Sequence, residues 1–218
     1  RSDKEVNKIY DRGKKWSLEY LDEIYKKLGT KFDYFIFESE VADIGKKIVE
    51  NGLKKGIFEK GENGAIIFKG ENFGLHTRVF INSEGLPTYE AKDLALAKFK
   101  YKKYKYGQSV VVTGNEINEY FKVMLCAMER IFPELVEKTK HIGHGMMRLP
   151  EGKMSSRTGK VVTFESLLNK VEELVKEKIK NKDLSEIEKK EIIKKVAIGA
   201  LKYSILKQSI GSDIVYDF

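Results

Sequence analysis

The chain has 218 residues, of which 41% are hydrophobic and 34% charged, a composition typical of globular proteins that excludes fibrous and disordered classes. No apolar run approaches the roughly 18 residues of a membrane span, so no membrane partner is expected. Lys and Arg outnumber Asp and Glu by 41 to 33, and the resulting net charge of +8 favours a polyanionic partner such as nucleic acid.

The first 84 residues are predicted to form an α+β region. Apolar periodicity indicates one or two helices over residues 1–29, ending at Gly29, and a further helix from Glu40 to Lys55. Short strands are predicted at Tyr34–Phe37, Ala65–Phe68, Arg78–Ile81 and Leu86–Tyr89.

From Tyr89 onward, helices and strands alternate. The predicted elements are a helix over 89–103, a strand over 109–113, a helix to Ile131, a strand over 141–149 and a helix after Thr163. This alternation predicts parallel βαβ units in an open sheet. The remainder, to about residue 210, is predicted to be helical, with a buried stripe of Ile192, Val196, Ala200 and Ile205.

Ligands of parallel sheets bind beyond the carboxyl ends of the strands, which selects three places, the first of them at Tyr89 and Asp93. Pro87 and Thr88 suit a helix start, so Tyr89 and Asp93 share one face, a turn apart. No residue three or four positions from Asp93 is cationic. Such a carboxylate beside an aromatic ring suits a guanidinium or ammonium ligand, although a more distant lysine or water would satisfy it equally.

The other two places are Asn115, whose amide could bond a ligand beyond a strand end, and the loop Gly152–Lys160. The glycines of that loop bracket two cations and three hydroxyls, which are suited to holding a polyphosphate. Its glycine spacing excludes a Walker A loop.

A run of alternating lysines and aromatic residues covers Lys98–Tyr106. Such a run can bind a phosphate backbone and stack bases. The solvated end of a helix explains it equally simply, and we favour this interpretation because the run follows a helical pattern directly.

Within the glycine-bracketed loop, Lys153-Met-Ser-Ser-Arg157 resembles the KMSKS signature of class I aminoacyl-tRNA synthetases. Further stretches are similar to arginyl-tRNA synthetases, namely Gly85–Asp93, Gly114–Lys122, His141–Pro150 and Asp213–Phe218. The resemblance implies an α/β fold, the second half of a class I synthetase Rossmann-like parallel sheet, with an α+β insertion before it and helices after it. The implied ranges are 1–84 for the insertion, 85–165 for the distal catalytic half with its KMSKS-like loop, and 166–218 for the helical region.

In this family a Tyr and an Asp four residues apart hold the substrate arginine, which implies this role for Tyr89 and Asp93. Asn115 stands where the family commonly has Gln and is carried over as an arginine contact. Lys153 and Arg157 are implied as catalytic, because they would neutralise phosphate charge during the displacement. The residues implied in ATP binding are Met146, Met147, Lys153, Met154, Ser155 and Ser156.

The tetrapeptide His141-Ile-Gly-His144 spells HIGH, the other class I signature. It precedes Lys153 by only nine residues, however, and Pro150 lies between them. This gap leaves no room for the helix that the signature opens. The tetrapeptide is therefore interpreted as part of a strand. The true signature would belong to an N-terminal half that this chain lacks.

The implied activity is ATP- and Mg²⁺-dependent formation of arginyl-adenylate, followed by transfer of L-arginine to tRNA(Arg). A C-terminal anticodon-binding domain is also expected outside this chain, and no residue is assigned to a metal. The single cysteine, Cys126, excludes a disulfide framework and favours a cytoplasmic location. The alternatives are a lysyl or glutamyl class I synthetase and a non-catalytic tRNA-binding module.

Overall fold

The computed structural model describes residues 3–148 and 163–215. These residues form two compact units. The sheet unit comprises Ile36–Met146 with Ile210–Asp213, and the helical unit takes its described residues from Arg1–Phe35, Met147–Ser209 and Ile214–Phe218. Both units are discontinuous in sequence.

Three long helices make up most of the helical unit: α1 (Lys4–Leu28), α6 (Phe164–Ile179) and α7 (Glu186–Leu206). Asp3 caps α1, because its carboxylate accepts hydrogen bonds from the backbone N–H groups of Glu5 and Val6. The helix ends at Gly29, whose φ of +62° is the left-handed conformation that glycine adopts freely. The predicted first helix is confirmed as a single helix.

The core of the helical unit lies between α6 and α7, beside the parallel pair β6 (Met147–Arg148) and β7 (Ile214–Val215). Its buried residues are Leu167, Leu168, Ala197, Leu201 and Ile214. The predicted stripe on α7 was wrong, since Val196 and Ile205 are exposed and the buried face lies one residue further on. Apolar residues occur all around α7, so periodicity could not select the face.

The sheet unit begins with α2 (Glu38–Lys54), which packs against α3 (Tyr89–Lys103). Between them in sequence lies an antiparallel sheet in the order β1 (Glu59–Lys60), β2 (Ile66–Phe68), β3 (Arg78–Ile81). Three buried rings, those of Phe58, Phe68 and Phe80, pack with centroids 4.8 to 6.2 Å apart. Burial of these rings anchors the sheet to the core.

The second part of the sheet unit is a βαβ unit. It runs through β4 (Ser109–Gly114), α4 (Asn118–Ile131), the short α5 (Pro133–Val136) and β5 (Thr139–His144). β4 and β5 pair in parallel, with register from Ser109↔Thr139 to Gly114↔His144. The predicted parallel unit is confirmed, and the carboxyl ends of both strands meet at one edge. The tetrapeptide His141–His144 lies wholly within β5, as its strand interpretation requires.

Three strand predictions need correction. Residues 34–37 form no strand, because this extended segment has no partner strand and leads directly into α2. Leu86–Tyr89 makes only an isolated bridge, between Ile81 and Pro87, since α3 begins at Tyr89.

The strand predicted over 141–149 instead begins at Thr139 and ends at His144, and Leu149 lies outside the described residues. It stops because Gly145 meets another part of the chain. A Cβ on Gly145 would lie 2.6 Å from the backbone nitrogen of Asp213, so the backbone there approaches too closely for a side chain.

Among the residues in these two ranges, no helix is both long and apolar enough to cross a membrane.

Candidate functional site

The start of α3 is held against the neighbouring strand. The hydroxyl of Thr88, the residue before the helix, donates to the backbone carbonyls of Val79 and Phe80, at 2.7 and 3.1 Å. Tyr89 is the first helical residue. Tyr89 and Asp93 therefore lie one turn apart on one side of α3, as predicted.

Asp93 is a half-buried carboxylate with a partner on the next helix. The hydroxyl of Tyr120, in the first turn of α4, donates to Oδ2 of Asp93. Burial raises the pKa of Asp93, and the hydrogen bond from Tyr120 opposes this rise. Because α4 follows the carboxyl end of β4, this pair lies on the side of the sheet where ligands of parallel sheets bind.

A lysine on the same helix faces Asp93 from two turns away. Lys100 attracts Asp93 electrostatically, and burial lowers the pKa of Lys100. Its Nζ donates to Oγ of Ser109 at 2.9 Å. Asp93 and Lys100 both line a small cavity of about 50 Å³. Helix spacing of three or four residues did not predict this cation, because Lys100 lies seven residues from Asp93.

Tyr89 presents its ring at the surface, with 66% of the residue exposed. The Nζ of Lys92 lies 5.1 Å from the ring centroid and also pairs with Glu38 at 2.7 Å. The face of this ring therefore already contacts a cation, in the geometry that a ligand guanidinium would use.

The sequence did not identify an ion pair that lies beside the Tyr120–Asp93 hydrogen bond. Glu90 is only 7% exposed, and its Oε1 pairs with Nη1 of Arg78 at 3.0 Å. The guanidinium of Arg78 lies 5.3 Å from the ring centroid of Tyr120. No spacing rule would have found these partners, because Arg78 comes from β3 and Tyr120 from α4.

The carboxyl edge of the parallel strands carries Asn115 and Met146. The side-chain amide of Asn115 donates to the carbonyl of Gly211 at 3.1 Å. The backbone N–H of Met146 donates to Oδ1 of Asp213 at 2.9 Å. Asn115 thus lies at the end of β4, as predicted, whereas Met146 lies just beyond the end of β5 and not within a strand. Both residues are bonded to the segment 210–213.

Met147, the other methionine implied in ATP binding, lies in β6 of the helical unit, where it pairs with Ile214. The remaining loop residues predicted to act on ATP lie outside the described residues; they are Lys153, Met154, Ser155, Ser156 and Arg157. Their roles stay predictions.

His141, in the HIGH-like tetrapeptide, has a packing role. Its ring stacks on Phe121 with centroids 3.8 Å apart, and its Nε2 lies 2.8 Å from Oγ1 of Thr113. Burial lowers the pKa of His141. These contacts attach β5 to β4 and α4 rather than present an imidazole to a ligand.

Comparison with known proteins identifies the family. The family model described as tRNA synthetases class I (R), catalytic domain, matches residues 2–218. The chain belongs to this family, and the resemblance to class I arginyl-tRNA synthetases is confirmed.

Two relatives named arginine–tRNA ligase illustrate the similarity. The protein of Porphyromonas gingivalis is 32% identical over 209 residues, covering 94% of this chain and 35% of the relative. That of Treponema denticola is 31% identical over 220 residues, covering 98% and 37%. The chain thus spans about a third of the length of these curated relatives.

Solved structures share the fold. The arginyl-tRNA synthetase of Plasmodium falciparum superposes with a TM-score of 0.78 at 18% identity, covering 99% of this chain and 36% of that one. The Thermus thermophilus enzyme gives a TM-score of 0.63 at 19% identity, covering 88% and 38%. The α/β class I synthetase fold predicted from the sequence is therefore confirmed.

Proposed function

We propose that this chain is the distal half of the catalytic domain of an arginine–tRNA ligase. The whole enzyme would use ATP to convert L-arginine into arginyl-adenylate and would then transfer arginine to the 2′-hydroxyl of the terminal adenosine of tRNA(Arg). Family membership over nearly the whole chain supports this proposal. The observation that carries the choice of amino acid is the half-buried carboxylate of Asp93, which accepts a hydrogen bond from Tyr120.

Asp93 would bind the guanidinium of the substrate. Burial disfavours the charged form of the carboxylate and raises its pKa. A cationic ligand bound beside it would stabilise the charged form, and this attraction would favour binding. The Tyr120 hydroxyl occupies one oxygen and orients the carboxylate, which leaves the other oxygen to accept from the ligand. The exposed ring of Tyr89 would pack against the guanidinium or the aliphatic stem.

The nucleotide would bind at the carboxyl edge and the KMSKS-like loop. Lys153 and Arg157 are proposed to neutralise the phosphates while the arginine carboxylate attacks the α-phosphorus and pyrophosphate leaves. Backbone groups near Met146 and Met147 would contact adenine. The shorter amide of Asn115, bonded to Gly211, would contribute to the amino acid side of the site.

Mg²⁺ would arrive with the ATP phosphates. Within residues 3–148 and 163–215, no group of three histidine, cysteine, aspartate or glutamate side chains could hold a metal ion. Magnesium in such sites is held mainly by the substrate phosphates and water, and no step is assigned to the ion.

We also propose that other polypeptide covers the parallel sheet. Val110 and Val112 of β4 are 47% and 62% exposed, whereas parallel sheets are normally covered on both faces. An N-terminal catalytic half, from the same protein or a second chain, would cover them, and an anticodon-binding domain would complete the enzyme. The ranges 1–84, 85–165 and 166–218 are our proposed division, and the cytoplasm is the proposed location.

The experiment that tests this function is ATP–pyrophosphate exchange by the full-length protein with tRNA(Arg) present. Exchange should depend on arginine. Asp93→Asn should raise the KM for arginine on the order of 100-fold, because it removes a charged partner. Tyr120→Phe should raise it about tenfold, because it removes one hydrogen bond.

Asp43→Asn is the matched control, since Asp43 is an exposed aspartate on α2, and it should leave the KM unchanged. ATP–pyrophosphate exchange that depends on lysine or glutamate, and not on arginine, would identify the protein as a lysyl or glutamyl synthetase. Binding of tRNA without any exchange would show the non-catalytic module.

A further inference from the structure

A second polar hollow lies in the sheet unit, far along α4 from the Tyr120–Asp93 pair. It has a volume of about 190 Å³ and lies among the end of α2, the middle of α3 and the end of α4. Arg130, at its rim, is ten residues beyond Tyr120, or about 15 Å along the helix axis. We name this hollow the basic pocket; its polar lining residues are Asn51, Lys55, Lys98 and Arg130.

Three cations converge on the basic pocket from three different helices. Lys55 follows α2, Lys98 lies on α3 and Arg130 lies in the last turn of α4. No aspartate or glutamate is among its described lining residues. Like charges brought together repel one another, and an anion placed among them removes this cost.

The carboxylate that pairs with Arg130 does not line the pocket. Glu129 lies 3.7 Å from Nη1 of Arg130, but its side chain is 64% exposed and is not part of the lining. Exposed pairs of this kind are weak, so Glu129 does not neutralise the three cations.

Two of the three cations, Arg130 and Lys98, are held in place before any ligand arrives. Nη1 of Arg130 donates to the carbonyl of Cys126 at 3.0 Å, and its Cζ lies 3.7 Å from the ring centroid of Phe73. The Nζ of Lys98 lies 5.3 Å from the ring centroid of Phe132. Such pre-organisation reduces the entropy that binding costs.

The basic pocket is continuous in sequence with the lysine–aromatic run that begins at Lys98. That run forms the end of α3, which confirms the helix-end interpretation. Its further lysines, Lys102, Lys103 and Lys105, are exposed. A chain of phosphates bound at the pocket would find more cations in this direction.

We propose that the basic pocket binds a phosphate group of a nucleic-acid backbone. Its volume accommodates one phosphate group together with a few water molecules, each water occupying about 30 Å³. Its three cations complement the negative charge of the phosphate. The phosphate would belong to a tRNA, and this identification of its source rests on the proposed function. The pocket would hold the RNA at a place separate from the adenylation chemistry.

The test measures the Kd of the full-length protein for a tRNA(Arg) transcript at a series of salt concentrations. The double variant Lys55→Gln/Lys98→Gln should weaken binding about tenfold at low salt and, because one phosphate contact is lost, reduce the slope of log Kd against log salt by roughly 0.7–0.9. Both lysines are exposed, so the fold should tolerate the change. The matched control, Lys69→Gln/Lys122→Gln, removes the same charge from two lysines that pair with glutamates and should leave the slope unchanged.

Equal Kd values and slopes for the two double variants would overturn the proposal. A parallel titration with inorganic phosphate, followed by the amide resonances of Asn51 and Gly52, separates the sources. Shifts with phosphate alone but no difference in RNA binding would assign the pocket to free phosphate and overturn the backbone assignment.

Arginine-dependent exchange should persist in the pocket variant at saturating tRNA. The Asp93→Asn variant should lose arginine affinity but keep its tRNA Kd. Failure of the pocket proposal and failure of the proposed function are therefore distinguishable.

Discussion

Asp93 combines burial, a hydrogen bond and a nearby lysine in one carboxyl group. Burial raises its pKa, Tyr120 donates to it, and Lys100 attracts it. A buried carboxylate of this kind costs stability when it is charged. A cationic ligand bound beside Asp93 would offset part of this cost, because it stabilises the charged carboxylate.

The raised pKa of Asp93 predicts how stability depends on pH. The folded protein holds this proton more tightly than the unfolded chain, so the contribution is fully present below the unfolded value, near 3.8, and is lost as pH rises through the folded pKa. Asn at this position carries no charge at any pH. Urea unfolding of Asp93→Asn and the wild-type protein, from about pH 3 to about pH 7, should therefore show the variant gaining stability relative to wild type as pH rises.

Asp43→Asn is the control for this pH series, because Asp43 is exposed on α2; its stability difference from wild type should stay flat. An Asp93→Asn variant that loses stability relative to wild type as the pH rises would contradict the raised pKa of Asp93.

The sequence identified Tyr89 and Asp93 because helix periodicity alone places residues four apart on one side. It did not identify Tyr120, Arg78 or Glu90 as their surroundings. Those contacts join residues of β3, α3 and α4, and side chains from separate elements meet only after the elements pack.

At the scale of elements, α2 and α3 approach each other at Gly45. A Cβ at this position would lie 2.7 Å from the carbonyl carbon of Ala91. Any larger residue would push the two helices apart, and Ala91 and Leu94 on α3 are both fully buried. Gly45 therefore sets the distance between α2 and α3, the helix that carries Tyr89 and Asp93.

Two glycine-to-alanine changes in helices should have opposite effects on stability. Gly45→Ala should lower the free energy of unfolding by about 1–3 kcal/mol, because the added methyl overpacks the interface. Gly199→Ala, in α7, should raise it by about 0.5–1 kcal/mol, because no atom of the described structure lies within 4 Å of the added Cβ and alanine favours helix.

Chemical denaturation of each glycine variant measures both effects. Stabilisation by Gly45→Ala would show that the helices are not in close contact there.

The elements themselves were largely predictable. Helix boundaries agreed within a few residues wherever a cap marked them, as at Gly29, Thr88 and Thr163. Strands were less predictable, because a strand exists only where a partner pairs with it. Residues 34–37 and 86–89 have strand-like composition, and their neighbours in the fold offer no continuous ladder.

At the scale of the whole molecule, the uncovered face of β4 bears on the completeness of the catalytic domain. Val110 and Val112 point from a parallel strand into a region that the described chain leaves open. A class I catalytic domain with a complete sheet would bury them.

The full-length protein should therefore tolerate Val112→Asp poorly. If other polypeptide covers this face, a buried unpaired carboxylate should lower the free energy of unfolding by about 3 kcal/mol or more. Val79→Asp, at an exposed position of β3, should cost only about 1 kcal/mol from strand preference. Thermal and urea unfolding of the two full-length variants compares these costs, and equal effects would show that the β4 face stays in water.

The sequence by itself determined the helices, the parallel βαβ unit and the family, because periodicity, caps and short motifs are local properties of the chain. It also placed Tyr89 and Asp93 on one helical face. Only the tertiary structure decided which face of α7 is buried, which residues surround Asp93, and that three cations from three helices meet in one pocket. These features depend on contacts between residues distant in sequence, and such contacts are set by packing.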